Sequence, residues 1–230
     1  VFPHYLMHRA EQRENLYVFK NTEGTPENIR KFHPNIIVSS TGSAPLLPPI
    51  AGLKDRIDNE NHNIYSILGM ISHINDFPKD LEGKKVVVVG GGAVGLDVVE
   101  FFADRNADIS IVEMMDQIGR DLDPVSKNDT KTMMKKHNVH QLTKTALLEV
   151  KDSSFLVRGD GEPYELPFEY GFVCLGMRAQ GQLYQNLTEE FSSEDVEIMN
   201  IGDSQRARRI IDGTQEGRNI LTILEQKGYL

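Results

Sequence analysis

The chain has 230 residues, of which 39% are hydrophobic and 26% charged, and its formal net charge is −9. This length suffices for one large domain or for two smaller domains with cores of their own. An acidic balance without a basic stripe argues against a nucleic-acid partner. No run approaches the roughly 18 apolar residues of a transmembrane helix, so we expect no membrane segment.

Two further features bear on the compartment. Residues 1–15 contain no long apolar core, so a secretory signal peptide is not expected. Cys174 is the single cysteine, which excludes an internal disulfide and a C-x-x-C redox pair within the chain. Both features favour a cytoplasmic protein.

The first part of the chain predicts alternating helices and strands. Thr25-Pro26-Glu27 combines a cap, a proline at the first helical position and an acid in the first turn, and therefore predicts a helix start. The small-residue turn 40–43 and the proline-rich stretch 45–49 suggest a crossing between domains, although a surface loop within one domain is the alternative. The other elements predicted here are a helix over 1–14, strands over 16–19 and 35–39, and a helical pattern over 64–76.

The stretch 85–113 carries the clearest motif. Val86–Val89 is typical of a strand buried on both faces. Gly90, Gly92 and Gly95 then form G-x-G-x-x-G, and a helical run and a second strand lead to Glu113. In this context the glycines favour a tight turn, close approach of a pyrophosphate and close helix packing, while the carboxylate suits an adenosine ribose. The alternative for Glu113 is a strand end in solvent.

The helical run begins inside the motif, with Ala93 and Val94 between the second and third glycines. Its unsatisfied N–H groups and the positive end of its dipole are suited to bind a diphosphate. We therefore predict a dinucleotide site formed by these residues together with the three glycines. A carboxylate at the 2′ position would meet a like charge on NADPH, so NADH is the expected nucleotide.

The rest of the chain completes an α/β pattern. The elements predicted here are a helix over 125–137, a strand over 139–142, an antiparallel meander over 145–150, 154–158 and 162–166, strands over 172–175 and 195–201, and a final helix over 209–226. We thus expect a Rossmann-like, doubly wound parallel sheet over residues 81–177. It would be inserted between flanking segments 1–80 and 178–230 that pair with each other.

Five stretches carry a resemblance to a known family: VSSTGSAPLLPPIAG, KKVVVVGGGAVGLDVVEFFA, ISIVEMMDQIGRDLDP, FVCLGMRA and MNIGDSQRARRIIDGTQEG. Together they resemble the two-dinucleotide flavoproteins, and in particular the C-terminal half of NADH:flavin oxidoreductases of the 2,4-dienoyl-CoA reductase and 2-enoate reductase type. That resemblance implies an N-terminal barrel with FMN and an iron–sulfur cluster. An FAD domain interrupted by an NAD(P) domain would follow the barrel.

This sequence departs from the family pattern in two respects. Gly24 is its first glycine, so the fingerprint that opens the family's FAD domain does not occur before it. One cysteine also cannot form the cluster ligands. We therefore expect a fragment or truncated relative. Residues 1–80 and 178–230 would be partial FAD-binding segments, and FMN and the iron–sulfur cluster would belong to a missing N-terminal barrel.

The resemblance also assigns individual residues. Asp97 lies where relatives often have a glutamate near the nicotinamide end, and the alternative is a solvent-facing helix residue. Thr41-Gly42 matches the motif where the chain leaves the FAD domain, and Gly176 matches the glycine where it returns. Gly202-Asp203 matches the motif whose carboxylate hydrogen-bonds the flavin ribityl chain.

The expected function is the transfer of hydride from NADH to FAD and, in the intact relative, onward to FMN and an activated C=C bond. The alternatives are a nucleotide-binding module without catalysis and part of a ferredoxin- or disulfide-reductase-like flavoprotein. No general acid or base is predicted, because the cofactors would carry the chemistry. His4 and His8 are spaced as metal ligands could be, but a surface pair is favoured and no metal site is predicted.

Overall fold

The structure, a computed structural model, describes residues 2–229. The chain forms two compact units. We call Gly42–Gln180 together with Arg206–Arg209 the central unit. The remaining segments, which lie before Gly42, over Gly181–Gln205 and from Ile210 onward, form the terminal unit.

The central unit contains a five-stranded, fully parallel sheet. Its strands are β3 (Ile64–Tyr65), β4 (Lys85–Val89), β5 (Asp108–Val112), β6 (His140–Leu142) and β10 (Tyr170–Val173). Their order across the sheet is β3-β10-β4-β5-β6. The sheet confirms the α/β, Rossmann-like fold class.

The valines of β4 explain why this strand lies at the centre. All four are nearly inaccessible, with exposed fractions of 0–3%. Val86 and Val88 pack into one core with Phe102 of the following helix, whereas Val87 and Val89 pack into a second core with Phe155. Because side chains alternate along a strand, an unbroken apolar run requires cover on both faces.

Helices and smaller strands provide that cover. The helices of the central unit are α3 (Leu53–Arg56), α4 (Ile67–Ser72), α5 (Ala93–Ala103) and α6 (Pro124–Lys136). A meander of β7 (Ala146–Val150), β8 (Ser154–Arg158) and β9 (Tyr164–Pro167) contributes to the second core. An antiparallel pair, β2 (Ser43–Pro45) and β11 (Met177–Ala179), stands at the two ends of the segment 42–180. The predicted meander is present, with bounds within two residues.

The unit boundary differs from the sequence prediction, which assigned residues 42–80 to the first flanking segment. Three contacts place that segment in the central unit instead. β3 pairs with β10, Ala51 forms a bridge with Glu149, and Leu53 is fully buried in the second core. These contacts join residues distant in sequence, so a local composition change could not reveal them.

The terminal unit is built around a two-stranded parallel sheet, in which Ile36 pairs with Glu197 and Ser39 with Asn200. Ile37, Leu187 and Phe191 form its small core. Its elements are α1 (Phe2–Glu11), α2 (Pro26–Arg30), β1 (Ile36–Ser39), α7 (Gln182–Glu190), β12 (Glu197–Asn200), a 3-10 turn (Gly202–Ser204) and α8 (Ile210–Gln226). The predicted strands over 35–39 and 195–201 are therefore formed and pair with each other.

Two local predictions were wrong. The predicted strand over 16–19 is not formed, and its side chains, from Leu16 to Phe19, are exposed. A strand needs a hydrogen-bonded neighbour, and within residues 2–229 none lies beside this segment. The helical pattern predicted over 64–76 begins as strand β3 and becomes helix α4 only at Ile67.

Candidate dinucleotide-binding site

The turn after β4 has two positions that only glycine can occupy. Gly90 has φ +110°, and a Cβ built on it would lie 2.1 Å from the carbonyl oxygen of Cys174. A Cβ on Gly95 would lie 1.9 Å from the carbonyl oxygen of Gly90. The first glycine therefore allows β4 to end against β10, and the third allows α5 to pack directly on the turn.

Gly92 has a different environment, because the space beside it is open. It is the N-cap of α5, and the nearest atom to a Cβ placed there would be Asp121 Oδ2 at 3.8 Å. The amide of Leu96 donates to the Gly92 carbonyl oxygen at 3.1 Å. The N–H groups of Gly92, Ala93, Val94 and Gly95 precede that first helical bond, so they have no intrahelical acceptor. Open space in front of these donors fits a pyrophosphate group.

Glu113 follows β5 and is held beside this turn by two backbone donors. Its Oε2 accepts from the Gly91 amide at 2.7 Å, and its Oε1 accepts from the Met115 amide at 2.7 Å. Each carboxylate oxygen retains a further acceptor site, since an ionised carboxylate accepts about four hydrogen bonds. A partly buried, oriented carboxylate of this kind fits the hydroxyl groups of an adenosine ribose.

Asp97 lies on the second turn of α5, close to the end of β10. Its side chain is exposed, yet partial burial of the carboxyl group raises its pKa above the ordinary value. Burial raises the pKa of the nearby Cys174 thiol to about 12, and the negative charge of Asp97 adds to this shift. Both residues lie beside the carboxyl ends of the parallel strands, where ligands of open α/β sheets bind.

The predicted exit and return glycines are brought together in the central unit by the β2–β11 pair. Gly42, with φ +77°, accepts at its carbonyl oxygen from the Gln180 amide at 3.0 Å. Gly176, with φ +106°, accepts from the Leu46 amide at 2.9 Å. Left-handed backbone at both positions explains the choice of glycine. Thr41 belongs to the terminal unit.

Gly202 and Asp203 lie in the terminal unit, on the 3-10 turn that ends β12. Gly202 has φ +65°, and its N–H donates to Glu216 Oε2 of α8 at 2.6 Å. The Asp203 side chain is half-buried. The turn is thus anchored to α8, which begins a few residues later.

The remaining candidates are unremarkable in their surroundings. His4 and His8 are exposed on α1, and a ring nitrogen of His8 lies 3.1 Å from the amide nitrogen of Gln12. Within the described range, no group of three His, Cys, Asp or Glu side chains is arranged to hold a metal ion. No helix within residues 2–229 combines the length and apolar character of a membrane-spanning segment.

Two residues of this site were missed by the sequence reasoning. Gly91 contacts Glu113, although it fills only a variable position of the fingerprint. The available signal was the run of three consecutive glycines, Gly90–Gly92. Asp121 lies beside Gly92, and no local pattern identified it.

The fold and this turn together define the class of protein. A parallel sheet whose central strand leads through G-x-G-x-x-G into a helix, with a carboxylate after the next strand, is a Rossmann-like dinucleotide-binding fold. The family model for pyridine nucleotide-disulphide oxidoreductases matches residues 10–199, and the chain belongs to that family. Membership implies binding of FAD and NAD(P)H.

Relatives of known name agree with the family. The chain is 25% identical over 206 residues to an NADH oxidase of Thermoanaerobacter brockii, covering 89% of this chain and 30% of that protein. It is 26% identical over 235 residues to a metal reductase of Desulforamulus reducens, covering 86% of this chain and 32% of the relative. The chain therefore spans about a third of the length of these relatives.

Solved structures show the same fold. A 2-naphthoyl-CoA reductase matches with a TM-score of 0.72 at 22% identity, over 88% of this chain and 29% of that one. Histamine dehydrogenase from Rhizobium sp. 4-9 matches with a TM-score of 0.72 at 15% identity, over 95% of this chain and 35% of the other. At such identities the likeness concerns the fold alone.

Proposed function

We propose that this chain is the pyridine-nucleotide-binding part of a flavin-dependent oxidoreductase and that it holds NADH so that its hydride passes to FAD. The observation that carries the proposal is the paired arrangement at the end of β4. Open N–H donors stand at the start of α5, and the oriented Glu113 carboxylate stands beside the same turn. Family membership supports the flavin part.

Each group of the site has a distinct task in this proposal. The N–H groups of Gly92, Ala93 and Val94 bind the pyrophosphate, with the helix dipole contributing. Glu113 accepts hydrogen bonds from the adenosine ribose. Asp97 lies toward the nicotinamide end, where its carboxyl group orients the ring. FAD, when bound, accepts the two electrons of the hydride.

The flavin side is proposed on the resemblance of the motifs. Thr41-Gly42 and Gly176 would border the flavin, and the Asp203 carboxylate, with Gly202, would accept a hydrogen bond from its ribityl chain. In the whole protein we propose onward transfer to FMN, through an iron–sulfur cluster, and to an activated C=C bond. Similarity to a cinnamate reductase of Clostridium sporogenes, at 21% identity over 83% of this chain, supports this extension. A cytoplasmic location stays a prediction from the sequence.

A second candidate is a nucleotide-binding module without catalysis. It is favoured by the position of Gly90, Gly92, Gly95 and Glu113, which all lie in the central unit. A disulfide reductase is a weaker candidate, because this chain supplies no pair of thiols and Cys174 is buried with its pKa raised to about 12.

Flavin content separates the two candidates. The purified protein is denatured, and the supernatant is analysed for FAD by absorbance and fluorescence. A parallel sample is titrated with NADH under anaerobic conditions. For a flavin-dependent oxidoreductase we expect FAD in the supernatant and loss of the oxidised flavin spectrum on addition of NADH. A colourless protein that binds NADH would support the binding module, and a protein that binds neither nucleotide would contradict both candidates.

A further inference from the structure

Both backbone groups of Gly91 bind the segment 113–119. Its N–H donates to Glu113 Oε2 at 2.7 Å, and its carbonyl oxygen accepts from the Gly119 amide at 2.7 Å. The fingerprint turn and the chain after β5 are therefore connected at a single residue. A hydrogen bond to an ionised carboxylate is among the stronger bonds in proteins, so this connection also orients the side chain of Glu113.

Space around Gly91 is closed by the same segment. A Cβ at this position would lie 3.0 Å from Glu113 Oε2, 3.1 Å from Glu113 Cβ and 3.1 Å from Ile118 Cγ1. Its φ is not in the left-handed region, so the backbone itself would accept another residue. An alanine here would press on the Glu113 and Ile118 side chains, which would have to move by a few tenths of an ångström.

We propose that Gly91 is a positioning residue that determines the choice between NADH and NADPH by holding the Glu113 carboxylate at the adenosine ribose. This inference rests on the proposed function. Because the N–H of Gly91 donates to Glu113, it is not available to the pyrophosphate. The pyrophosphate is bound instead by the N–H groups of Gly92, Ala93 and Val94. Nucleotide selectivity and phosphate binding thus reside on adjacent glycines.

Three glycine-to-alanine variants separate these tasks. Gly91→Ala displaces the carboxylate, Gly92→Ala places a methyl group in the open space before the helix, and Gly161→Ala is a control with no atom within 4 Å of the added Cβ. The dissociation constants of NADH and NADPH are measured for each variant by fluorescence titration. Thermal unfolding and circular dichroism establish that each variant is folded.

We expect Gly91→Ala to lose most of an approximately tenfold NADH preference, the size of one charge-assisted hydrogen bond, through weaker NADH binding. Gly92→Ala should weaken the binding of NADH and of NADPH by a similar factor, so the ratio of their dissociation constants stays the same. Gly161→Ala should change neither dissociation constant. In the double variant with Glu113→Gln, Gly91→Ala should have no further effect on the ratio. A folded Gly91→Ala protein with the wild-type ratio would overturn the inference, as would an equal loss for both nucleotides.

Should Gly91→Ala not fold, the contact between Gly91 and Glu113 is tested through the NMR amide resonance of Gly91 in protein that retains this glycine. It should shift on Glu113→Gln and on addition of NADH. An amide that does not respond to Glu113→Gln would refute the contact and the inference. Wild-type protein that binds neither nucleotide would instead overturn the proposed function, so the two failures are distinguishable.

Discussion

The Cβ position of Gly95 lies 1.9 Å from the carbonyl oxygen of Gly90, so the first turn of α5 rests directly on the end of β4. A Cβ atom cannot lie 1.9 Å from an oxygen atom, so no residue with a side chain fits at position 95 unless the helix moves. It also brings the N-terminus of the helix, with its free N–H groups, to the edge of the sheet. The third glycine of the fingerprint thus serves the packing on which the proposed anion site depends.

Gly95→Ala should therefore destabilise the central unit. Alanine has a helix propensity about 1 kcal/mol better than glycine, but a methyl group cannot occupy this contact without moving α5. We expect a net loss of about 1–3 kcal/mol in the free energy of unfolding, measured with urea. Gly161→Ala, where the added methyl group has open space, is the control. Equal stability of the two variants would show that α5 does not pack as described.

Glu113→Ala should remove the preference for NADH. In the proposed complex the carboxylate would accept a hydrogen bond from a free 2′-hydroxyl and repel a 2′-phosphate, so we expect a wild-type preference of about tenfold. Titration of wild type and variant with both nucleotides measures the ratio. Glu113→Gln retains the shape and removes the charge, so it should bind NADPH more tightly than wild type does. An unchanged ratio in both variants would exclude Glu113 as the selector.

Asp121→Asn should strengthen NADH binding. Asp121 Oδ2 lies 3.8 Å from the Cβ position of Gly92, so a negative charge lies beside the proposed pyrophosphate site. We expect a gain of roughly threefold in affinity at low ionic strength, consistent with about 1 kcal/mol or less for an exposed pair of charges. The gain should shrink as salt is added.

Asp129→Asn is the matched control for this substitution, since Asp129 is an exposed residue of α6. It changes the net charge equally without lying beside Gly92. If Asp121→Asn and Asp129→Asn gained the same affinity for NADH, the gain would come from the change in net charge and not from the position of Asp121 beside Gly92.

Cys174 should resist thiol reagents in the native state. Burial, followed by the charge of Asp97, raises the pKa of the thiol to about 12, so at pH 8 it is protonated and shielded. We expect little reaction with Ellman's reagent over an hour in buffer and complete reaction in urea. Asp97→Asn should increase the rate of reaction only slightly, because burial raises the pKa of Cys174 more than the charge of Asp97 does. Rapid labelling of native protein would contradict the burial of Cys174.

Asp123 should stabilise α6 in a pH-dependent manner. Its carboxylate accepts from the Ser126 hydroxyl and from the amides of Val125 and Ser126, and these hydrogen bonds lower its pKa below the ordinary 3.8. The unfolded state binds the proton more tightly, so the stabilisation is present above pH 3.8 and is lost as the pH falls through the lower native pKa. Asp123→Ala should therefore unfold at a lower urea concentration than wild type at pH 7, with a smaller difference at pH 3. If the difference in urea midpoint between wild type and Asp123→Ala were the same at both pH values, the charge of Asp123 would not contribute to the stability of α6.

The predictions that held depend on patterns within a few residues of each other. The unbroken valines of β4 required a strand covered on both faces, and Thr25-Pro26 required a helix start; Thr25 indeed accepts from the Asn28 amide at 3.2 Å. Backbone preferences and side-chain periodicity act locally, so they can be identified from the sequence alone.

The predictions that failed depend on partners distant in sequence. Leu16–Phe19 has the residues of a strand but no adjacent strand in the described part of the chain. Ile64-Tyr65 forms a strand because β10 lies beside it.

The sequence by itself determined the fold class and the residues of the proposed site: three spaced glycines between a buried strand and a helix, with Glu113 after the next strand. Only the tertiary structure decided that residues 42–80 belong to the central unit and that Gly91 holds the Glu113 carboxylate. The physical reason is the sequence distance over which each interaction acts. A glycine's own conformation is a local property, whereas the atom that fills the space beside it belongs to a distant segment, whose position is set by the packing of the whole sheet.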